Sequence, residues 1–198
     1  MARLIWVRHG VTLANQQKRY IGQLDLPLAN EGRRQAQRLA AHLRDWPLDA
    51  VYASDLQRCL ETAEIICQYH PHLVVCPAAE LRELSFGEWE GRTYEQLSAE
   101  TEAAVMRFYD DPWSCKPPGG ESAAELFARL ERFLQRLIRN HRADETVLCV
   151  SHRGVIDVFH ALCLAQRRDA LFSLQLQPCG VLHCQYDYQL GKWVYAAA

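Results

Sequence analysis

The sequence has no apolar run that approaches the roughly 18 residues needed to span a membrane. Its formal net charge at pH 7 is −2, so it lacks the excess positive charge that favours binding to nucleic acid or anionic lipid. The first residues also lack the basic-then-apolar pattern of a signal peptide, because "VRHG" interrupts the first apolar run. We therefore expect a cytoplasmic protein without a membrane or nucleic-acid partner, in which any anion site is built locally.

None of the eight cysteines belongs to a CxxC pair, and several lie within apolar runs. This scatter, without an export signal, predicts reduced cysteines in a cytosolic protein rather than a disulfide framework. Cys179, His183 and Cys184 are close enough in sequence to suggest a metal site. Their alternation along a strand, without a fourth ligand, favours core packing instead, so no metal is predicted.

Repeats, low-complexity segments and linkers are also absent from the 198 residues, and a single domain over residues 1–198 is the simplest organisation. Short apolar runs alternate with stretches of helical spacing, which predicts a three-layer α/β/α domain with a mainly parallel central sheet and an antiparallel edge. An irregular, lid-like insertion is expected at about 77–120. The predicted strands are "LIWV", "DAVYAS", "LVVC", "TVLCVS", "GVLHCQYD" and "KWVYA".

Capping residues predict where the helices begin. Asn30 is a candidate cap for a helix that follows it, and Ser54 with Gln57 has capping-box spacing, which predicts a helix from Asp55. Ser122 with Glu125 has the same spacing before a strongly amphipathic stretch.

Two predicted strands end on a histidine that is soon followed by a glycine. His9 follows the first strand in "VRHG", and His152 follows a later one in "VSHRG". Ligands of open α/β sheets bind beyond the carboxyl ends of the strands, so the two histidines can share one crevice. Gly10 and Gly154 would let the backbone turn sharply there and approach a ligand closely.

A third predicted strand, "DAVYAS", ends on Ser54, and Arg58 lies on the first turn of the helix that follows. A helix N-terminus attracts anions, and arginine adds a fork of donors, so Arg8, Arg58 and the two histidines predict a phosphoryl pocket. Neutral imidazole can act as the nucleophile near pH 7. A carboxylic acid must then protonate the leaving alcohol, and the candidates are Glu83, Glu88 and Glu90. Their spacing alone does not choose among the three.

These motifs together resemble the histidine phosphatase superfamily, which includes the cofactor-dependent phosphoglycerate mutases. "VRHG" resembles the Arg-His-Gly signature of the family, "YASDLQRCLETA" its Ser-x-Leu-x-Arg-x-x-x-Thr-Ala segment, and "VSHRG" its second histidine motif. The three occur in the right order, with "LRELSFGEWEG" and "PPGGES" between the second and the third. The resemblance covers nearly the whole chain and implies a phosphoglycerate mutase-like fold.

The resemblance also implies a role for each matching residue. His9 would be the nucleophile that forms a phosphohistidine, and Glu83 would be the general acid and then the base toward water. Arg8, Arg58 and His152 would hold the phosphoryl oxygens through charge-assisted hydrogen bonds. The family needs neither a metal nor another cofactor. The further residues that would line the phosphate site are Asn15 and Gln23.

Within the superfamily, "FGEWEG", "PPGGES" and "QPCGVLHCQYD" look most like the alpha-ribazole phosphatases of cobalamin assembly. The expected partner is thus a small phosphorylated metabolite, and a broad-specificity or sugar-phosphate phosphatase of the same family is the alternative. Val11 and Arg153 depart from the family pattern. Val11 removes a possible hydrogen bond near His9, and Arg153 either adds positive charge at the pocket mouth or points to solvent.

Two other functions are compatible with such a fold. A mutase would need further basic residues for a second anionic group, and the candidate lid "LSAETEAAVMRFYDDPW" offers only Arg107. A catalytically silent phosphoprotein-binding module would have lost the nucleophile or the acid, and His9 and Glu83 are both present. The lid also carries aromatic residues that can stack on a base or simply pack, namely Phe86, Trp89 and Trp113.

Overall fold

The apolar runs of the sequence form the strands of one sheet. In this computed structural model, which describes residues 2–196, β1 (Ala2–Arg8) pairs in parallel with β4 (Thr146–Ser151) at the centre. All of β4 and most of β1 are buried, as continuous apolar strands covered on both faces require. Their carboxyl ends lie side by side, with Arg8 opposite Ser151.

Four further strands complete the sheet in the order β3-β2-β4-β1-β5-β6. β2 pairs in parallel with β3 and β4, whereas β5 runs antiparallel to both β1 and β6. This confirms the prediction of a mainly parallel sheet with an antiparallel edge. The four strands are β2 (Ala50–Ala53), β3 (Val75–Pro77), β5 (Val181–Asp187) and β6 (Lys192–Tyr195).

Helices cover both faces, which confirms the three-layer prediction. One core lies under α2 and α3 and includes Ile5 and Val7 of β1, while Leu4 and Trp6 face a second core under α4, α5 and α6. The alternation of β1 side chains between two cores is what a buried strand produces. The helices are α2 (Asn30–Leu43), α3 (Gln57–Cys67), α4 (Tyr94–Asp110), α5 (Ala123–Asn140) and α6 (Arg153–Phe159), after a short α1 (Leu13–Gln16) in the loop that follows β1.

The capping predictions had mixed outcomes. Ser122 and Glu125 form the expected reciprocal box at the start of α5. The prediction for Asn30 was wrong: Asn30 is the first helical residue, and Ala29 precedes it with its N–H bound to the carbonyl of Val11. The predicted box at Ser54 was also wrong, because α3 begins at Gln57 and the Ser54 hydroxyl contacts His152.

The segment at about 77–120, for which an insertion was predicted, contains two short 3₁₀ turns and α4. Trp89 is buried against Phe108, so its ring is not available to a ligand. The indole N–H of Trp113 donates to the carbonyl of Arg168, whose guanidinium lies over the ring. Among residues 2–196, no helix combines the length and the hydropathy that a membrane crossing requires.

Candidate active site

The carboxyl ends of β1, β2 and β4 open onto a cleft of about 330 Å³. This is where an open α/β sheet places its ligands, because the connections to the following helices diverge there. Among the described residues, five of the seven sequence-predicted site residues line the cleft. They are Arg8, His9, Asn15, Arg58 and Glu83. Gln23 and His152 lie beside it.

His9 is only 4% exposed, and its position is set by main-chain contacts. Its N–H donates to the carbonyl of Ser151, which ties the end of β1 to the end of β4. The Nδ1 of His9 lies 2.7 Å from the carbonyl oxygen of Gly10, and a carbonyl can only accept, so Nδ1 carries the hydrogen. Burial, together with the nearby charge of Arg58, lowers the pKa of His9 to about 3. The ring is therefore neutral, and Nε2 keeps a lone pair.

Two arginines of the cleft, the half-buried Arg8 and the buried Arg58, are held by main-chain carbonyls. Arg8 donates to the carbonyl of Leu176, and Arg58 donates to the carbonyls of Gly22 and Leu24. Neither forms an ion pair with a carboxylate of residues 2–196, and both keep a buried Nε that has no partner there. Burial lowers the pKa of each guanidinium, yet arginine stays charged at neutral pH. These carbonyl contacts fix the guanidinium groups and leave their charge for an anion.

His152 is fully buried, and its ring stands edge-on to that of His9 with 5.1 Å between the centroids. Its Nε2 lies 2.9 Å from the hydroxyl of Ser54 and 3.4 Å from the Sγ of Cys59. Burial lowers the pKa of His152 well below its usual value, and the charge of Arg58 adds to this effect. His152 is therefore neutral in this structure, and a charge-assisted hydrogen bond from it requires a proton to be taken up.

Glu83 is the one of the three candidate carboxylates that lines the cleft. Its carboxylate accepts hydrogen bonds from the N–H groups of Leu84, at 2.9 Å, and Gly154, at 3.3 Å. Glu90 instead accepts from the main chain of Gln23 and Phe86, which joins two loops, and Glu88 is exposed. Of the three, Glu83 is thus the one whose carboxylate lies at the cleft.

Both strand-end glycines are required by contacts within the protein. A Cβ on Gly10 would lie 2.5 Å from the carbonyl oxygen of Gly32, where α2 crosses the loop. A Cβ on Gly154 would lie 2.5 Å from Oε1 of Glu83. Glycine is therefore required at both positions, as predicted. The reason differs from the predicted one, because α2 approaches Gly10 and the Glu83 side chain approaches Gly154.

Asn15 presents a defined atom to the cleft. Its Oδ1 accepts from both the N–H and the hydroxyl of Thr12, each at 3.0 Å, which leaves Nδ2 as the donor that remains. Gln23 uses its amide differently: Nε2 lies 3.2 Å from the carbonyl oxygen of Glu83 and 3.5 Å from a carboxylate oxygen of Glu121. The structure thus places Gln23 behind the acidic residue, beside the cleft.

Arg129 was not found by the sequence reasoning. It donates to the carbonyls of Glu80 and Glu83, each at 2.8 Å, and pairs with Glu121, which in turn accepts from the N–H of Ser85. This contact set holds the segment that carries Glu83. In the sequence, Arg129 is one of several arginines on α5, and no local signal separates it from the others.

The two departures from the family pattern have defined places. The N–H of Val11 donates to Oε1 of Gln35, so the main chain at this position is satisfied by another side chain. Arg153 lines the mouth of the cleft, where its Nε donates to Asp157 at 3.2 Å. Arg153 therefore lies at the cleft, and its ion pair with Asp157 offsets its charge there.

Comparison with known proteins places this geometry among enzymes. The histidine phosphatase superfamily (branch 1) matches residues 4–197. Phosphoglycerate mutase-like protein 4 of Arabidopsis thaliana is 37% identical over 78% of this chain and 68% of its own. Adenosylcobalamin/alpha-ribazole phosphatase of Salmonella typhimurium is 33% identical over 88% and 86%. The structure of the alpha-ribazole phosphatase from Shigella flexneri superposes with a TM-score of 0.87, at 28% identity, over 98% of this chain and 95% of its own.

Proposed function

The chain belongs to the histidine phosphatase superfamily, and from that premise we propose that it is a phosphomonoesterase in which His9 accepts the phosphoryl group. The observation that carries the proposal is the neutral imidazole of His9, with Nε2 unprotonated, in one cleft with the guanidinium groups of Arg8 and Arg58, which form no ion pair with a carboxylate of residues 2–196. A nucleophile with a lone pair beside fixed positive charge is what transfer of an anionic phosphoryl group needs.

In the first step, Nε2 of His9 attacks phosphorus while the bond from phosphorus to the alcohol oxygen breaks. Arg8 and Arg58 hold the equatorial oxygens, whose charge they offset throughout the transfer. Nδ2 of Asn15 is a further donor toward the same group. Glu83, as a carboxylic acid, gives its proton to the leaving alcohol oxygen.

In the second step, water attacks the phosphohistidine. Glu83, now a carboxylate, takes a proton from the water, and the bond from Nε2 to phosphorus breaks. The products are the alcohol and inorganic phosphate, and both His9 and Glu83 return to their starting forms. Arg129 and Gly154 position Glu83, the first through the main-chain carbonyl of Glu83 and the second through its carboxylate.

His152 and Gln23 would support the transfer from positions next to the cleft. A dianionic phosphoryl group would favour the protonated form of His152, and that proton would then give the charge-assisted hydrogen bond expected from the family resemblance. Gln23 would act through the carbonyl of Glu83 and through Glu121.

We propose alpha-ribazole 5′-phosphate as the substrate. The support is a relative of that name at 33% identity over most of both chains, and a structural neighbour of the same name. The segments "FGEWEG" and "PPGGES" contribute Phe86 to the cleft and Glu121 to the contacts that hold Glu83. The proposed partner is therefore a small phosphorylated metabolite.

One observation favours a mutase as the second candidate. We expected the extra cations of a mutase to come from the lid. The structure offers two in the loop after α1 instead, because Lys18 and Arg19 line an open bay of about 330 Å³ that adjoins the cleft. Three tyrosines complete the bay, and it can receive a second anionic group. The mutase-like name of the Arabidopsis relative agrees with this alternative.

The test is phosphate release from alpha-ribazole 5′-phosphate, 4-nitrophenyl phosphate and 3-phosphoglycerate, with a metal chelator present throughout. We expect the ribazole ester to have the highest kcat/KM and 3-phosphoglycerate to give no 2-phosphoglycerate. Isomerised product with little free phosphate would favour the mutase instead. Equal, slow release from all three esters would contradict the proposed substrate and leave the reaction in place.

The nucleophile is tested with His9→Gln. Turnover should be abolished, and acid-labile label from a ³²P-phosphoester should no longer attach to the protein. His70→Gln is the matched control, because His70 is similarly buried, at 3% exposed, but binds the carbonyl of Leu43 away from the cleft. Turnover near the parent level in His9→Gln would refute the assignment.

A further inference from the structure

A second pocket, of about 160 Å³, opens beside the catalytic cleft. The cleft and the pocket share three lining residues, Glu83, Phe86 and Arg153, so a molecule that extends past the proposed acid enters the pocket. Since the acid protonates the leaving oxygen, the part of the substrate on this side is the leaving alcohol. This inference rests on the proposed function.

The walls of this pocket are mainly apolar and come from separate segments of the chain. Leu84 lies beside the acid, Phe108 comes from α4, and Phe172 comes from the loop before β5. An apolar cavity of about 150 Å³ accepts a benzene molecule, so this pocket of about 160 Å³ has room for an aromatic ring. A lining of phenylalanine side chains favours an aromatic ring, which can stack on it or meet it edge-on.

Phe172 has a backbone conformation that bulky residues rarely adopt. Its φ is 66°, in the left-handed region, and its side chain is 41% exposed although it lines the pocket. Backbone strain of this kind persists only where the surroundings impose it, and it clusters at ligand-binding positions. The conformation sets the ring at the rim of the pocket.

The pocket also has one buried polar residue. Asp157 of α6 lines it and is 0% exposed. One carboxylate oxygen accepts from Arg153, whereas the other, Oδ1, is buried and has no partner within residues 2–196. Burial raises the pKa of Asp157 to about 6, so the group is ionised above pH 7. A buried carboxylate oxygen without a donor is costly, and a bound donor would remove that cost.

We infer that this pocket receives the leaving alcohol of the substrate, that it selects an alcohol that carries an aromatic group, and that Asp157 accepts a hydrogen bond from a hydroxyl or N–H group on that alcohol. A neutral donor fits better than a cation, because Arg153 already offsets the charge of Asp157. Asp157 is a specificity-determining residue under this proposal and touches no reacting atom.

Kinetics on a graded set of phosphate esters above pH 7 test the inference. The set is ethyl phosphate, 2-phenylethyl phosphate and the three ring-hydroxylated isomers of 2-phenylethyl phosphate. We expect kcat/KM to rise from the ethyl to the phenylethyl ester. It should rise again, on the order of ten-fold, for the isomer whose hydroxyl reaches Asp157, as one hydrogen bond to a charged acceptor provides.

Two variants separate the ring from the donor. Asp157→Leu should abolish the advantage of the hydroxylated isomer over 2-phenylethyl phosphate, measured as a ratio within the variant. Phe172→Ala should lower the ratio of phenylethyl to ethyl ester, and its exposed position makes folding of this variant secure. Tyr69→Ala is the control, because Tyr69 is a comparably exposed aromatic residue that packs against Arg44 and lines neither cavity.

The outcomes distinguish this inference from the proposed function. If the protein hydrolyses ethyl phosphate but prefers neither the ring nor any hydroxylated isomer, the inference is overturned and the phosphatase proposal stands. A hydroxyl preference that survives in Asp157→Leu overturns the role of Asp157. If no ester of the set is hydrolysed although alpha-ribazole 5′-phosphate is, the inference is overturned and the phosphatase proposal stands. If alpha-ribazole 5′-phosphate is not hydrolysed either, the proposed function fails, and this inference fails with it.

Discussion

Replacing Gly154 by alanine should separate catalysis from stability. Gly154 is the second residue of α6, and its N–H donates to Oε2 of Glu83. An added Cβ would lie 2.5 Å from Oε1 of Glu83, and ordinary contact begins at 3.4 Å. The atom that must move is the end of a flexible side chain, so the carboxylate withdraws by about 0.9 Å while the backbone stays in place.

The expected effect on rate is large. Misplacement of a catalytic group by about 1 Å costs on the order of 10²-fold, so kcat should fall by roughly that factor. The expected effect on stability is small because two contributions oppose one another. Alanine is more favourable than glycine in a helix by up to about 1 kcal/mol, and the lost hydrogen bond costs about 0.5–1.5 kcal/mol. The melting temperature should therefore stay within about 4 °C of the parent.

The assay is steady-state phosphate release together with thermal unfolding of the same preparations. Gly32→Ala provides the contrast, because a Cβ there meets the main chain of Val11, which cannot move aside as a side-chain end can. Gly32→Ala should lose stability, whereas Gly154→Ala should lose rate. Parent-like turnover in a folded Gly154→Ala protein would refute the reasoning, and so would a loss of rate that merely tracks unfolding.

Two further predictions concern pH and the support of the acid. His9 has a pKa of about 3 in the folded chain and about 6.5 unfolded, so protons bind the unfolded chain preferentially and stability falls as the pH drops below 6.5. At pH 5.5, one unit below the unfolded pKa, His9 lowers the free energy of unfolding by about 1.4 kcal/mol. Chemical denaturation at pH 7.5 and pH 5.5 should therefore show a smaller loss of stability in His9→Gln than in the parent. An equal loss in both proteins would contradict the assignment. Arg129→Met should lower kcat more than it changes KM, because it frees the segment of Glu83, and it should lower stability by about 1–3 kcal/mol. Arg136→Met, which removes a more exposed ion pair, should cost less than about 1 kcal/mol and leave kcat unchanged; a matching fall in kcat would contradict the role of Arg129.

The sequence alone determined the layers of the fold and the edge of the sheet where the cleft lies. Continuous apolar strands and amphipathic helices are local patterns, and they require a parallel sheet that is covered on both faces. Because the carboxyl ends of parallel strands meet at one edge, His9 and His152 could be placed together although 143 positions separate them. The Ser122 cap was also predictable, since a capping box is a contact within four residues.

Only the tertiary structure decided which contacts prevail where several were possible. Ser54 was available for a cap, but its hydroxyl contacts His152 from another strand, and α3 begins later. Glu83 differs from Glu88 and Glu90 in its position over Gly154, and Arg129 differs from the other arginines of α5 in the carbonyls that it reaches. These contacts join residues that are far apart in the chain, so no local pattern encodes them. Their energies depend on burial, which exists only once the chain has folded.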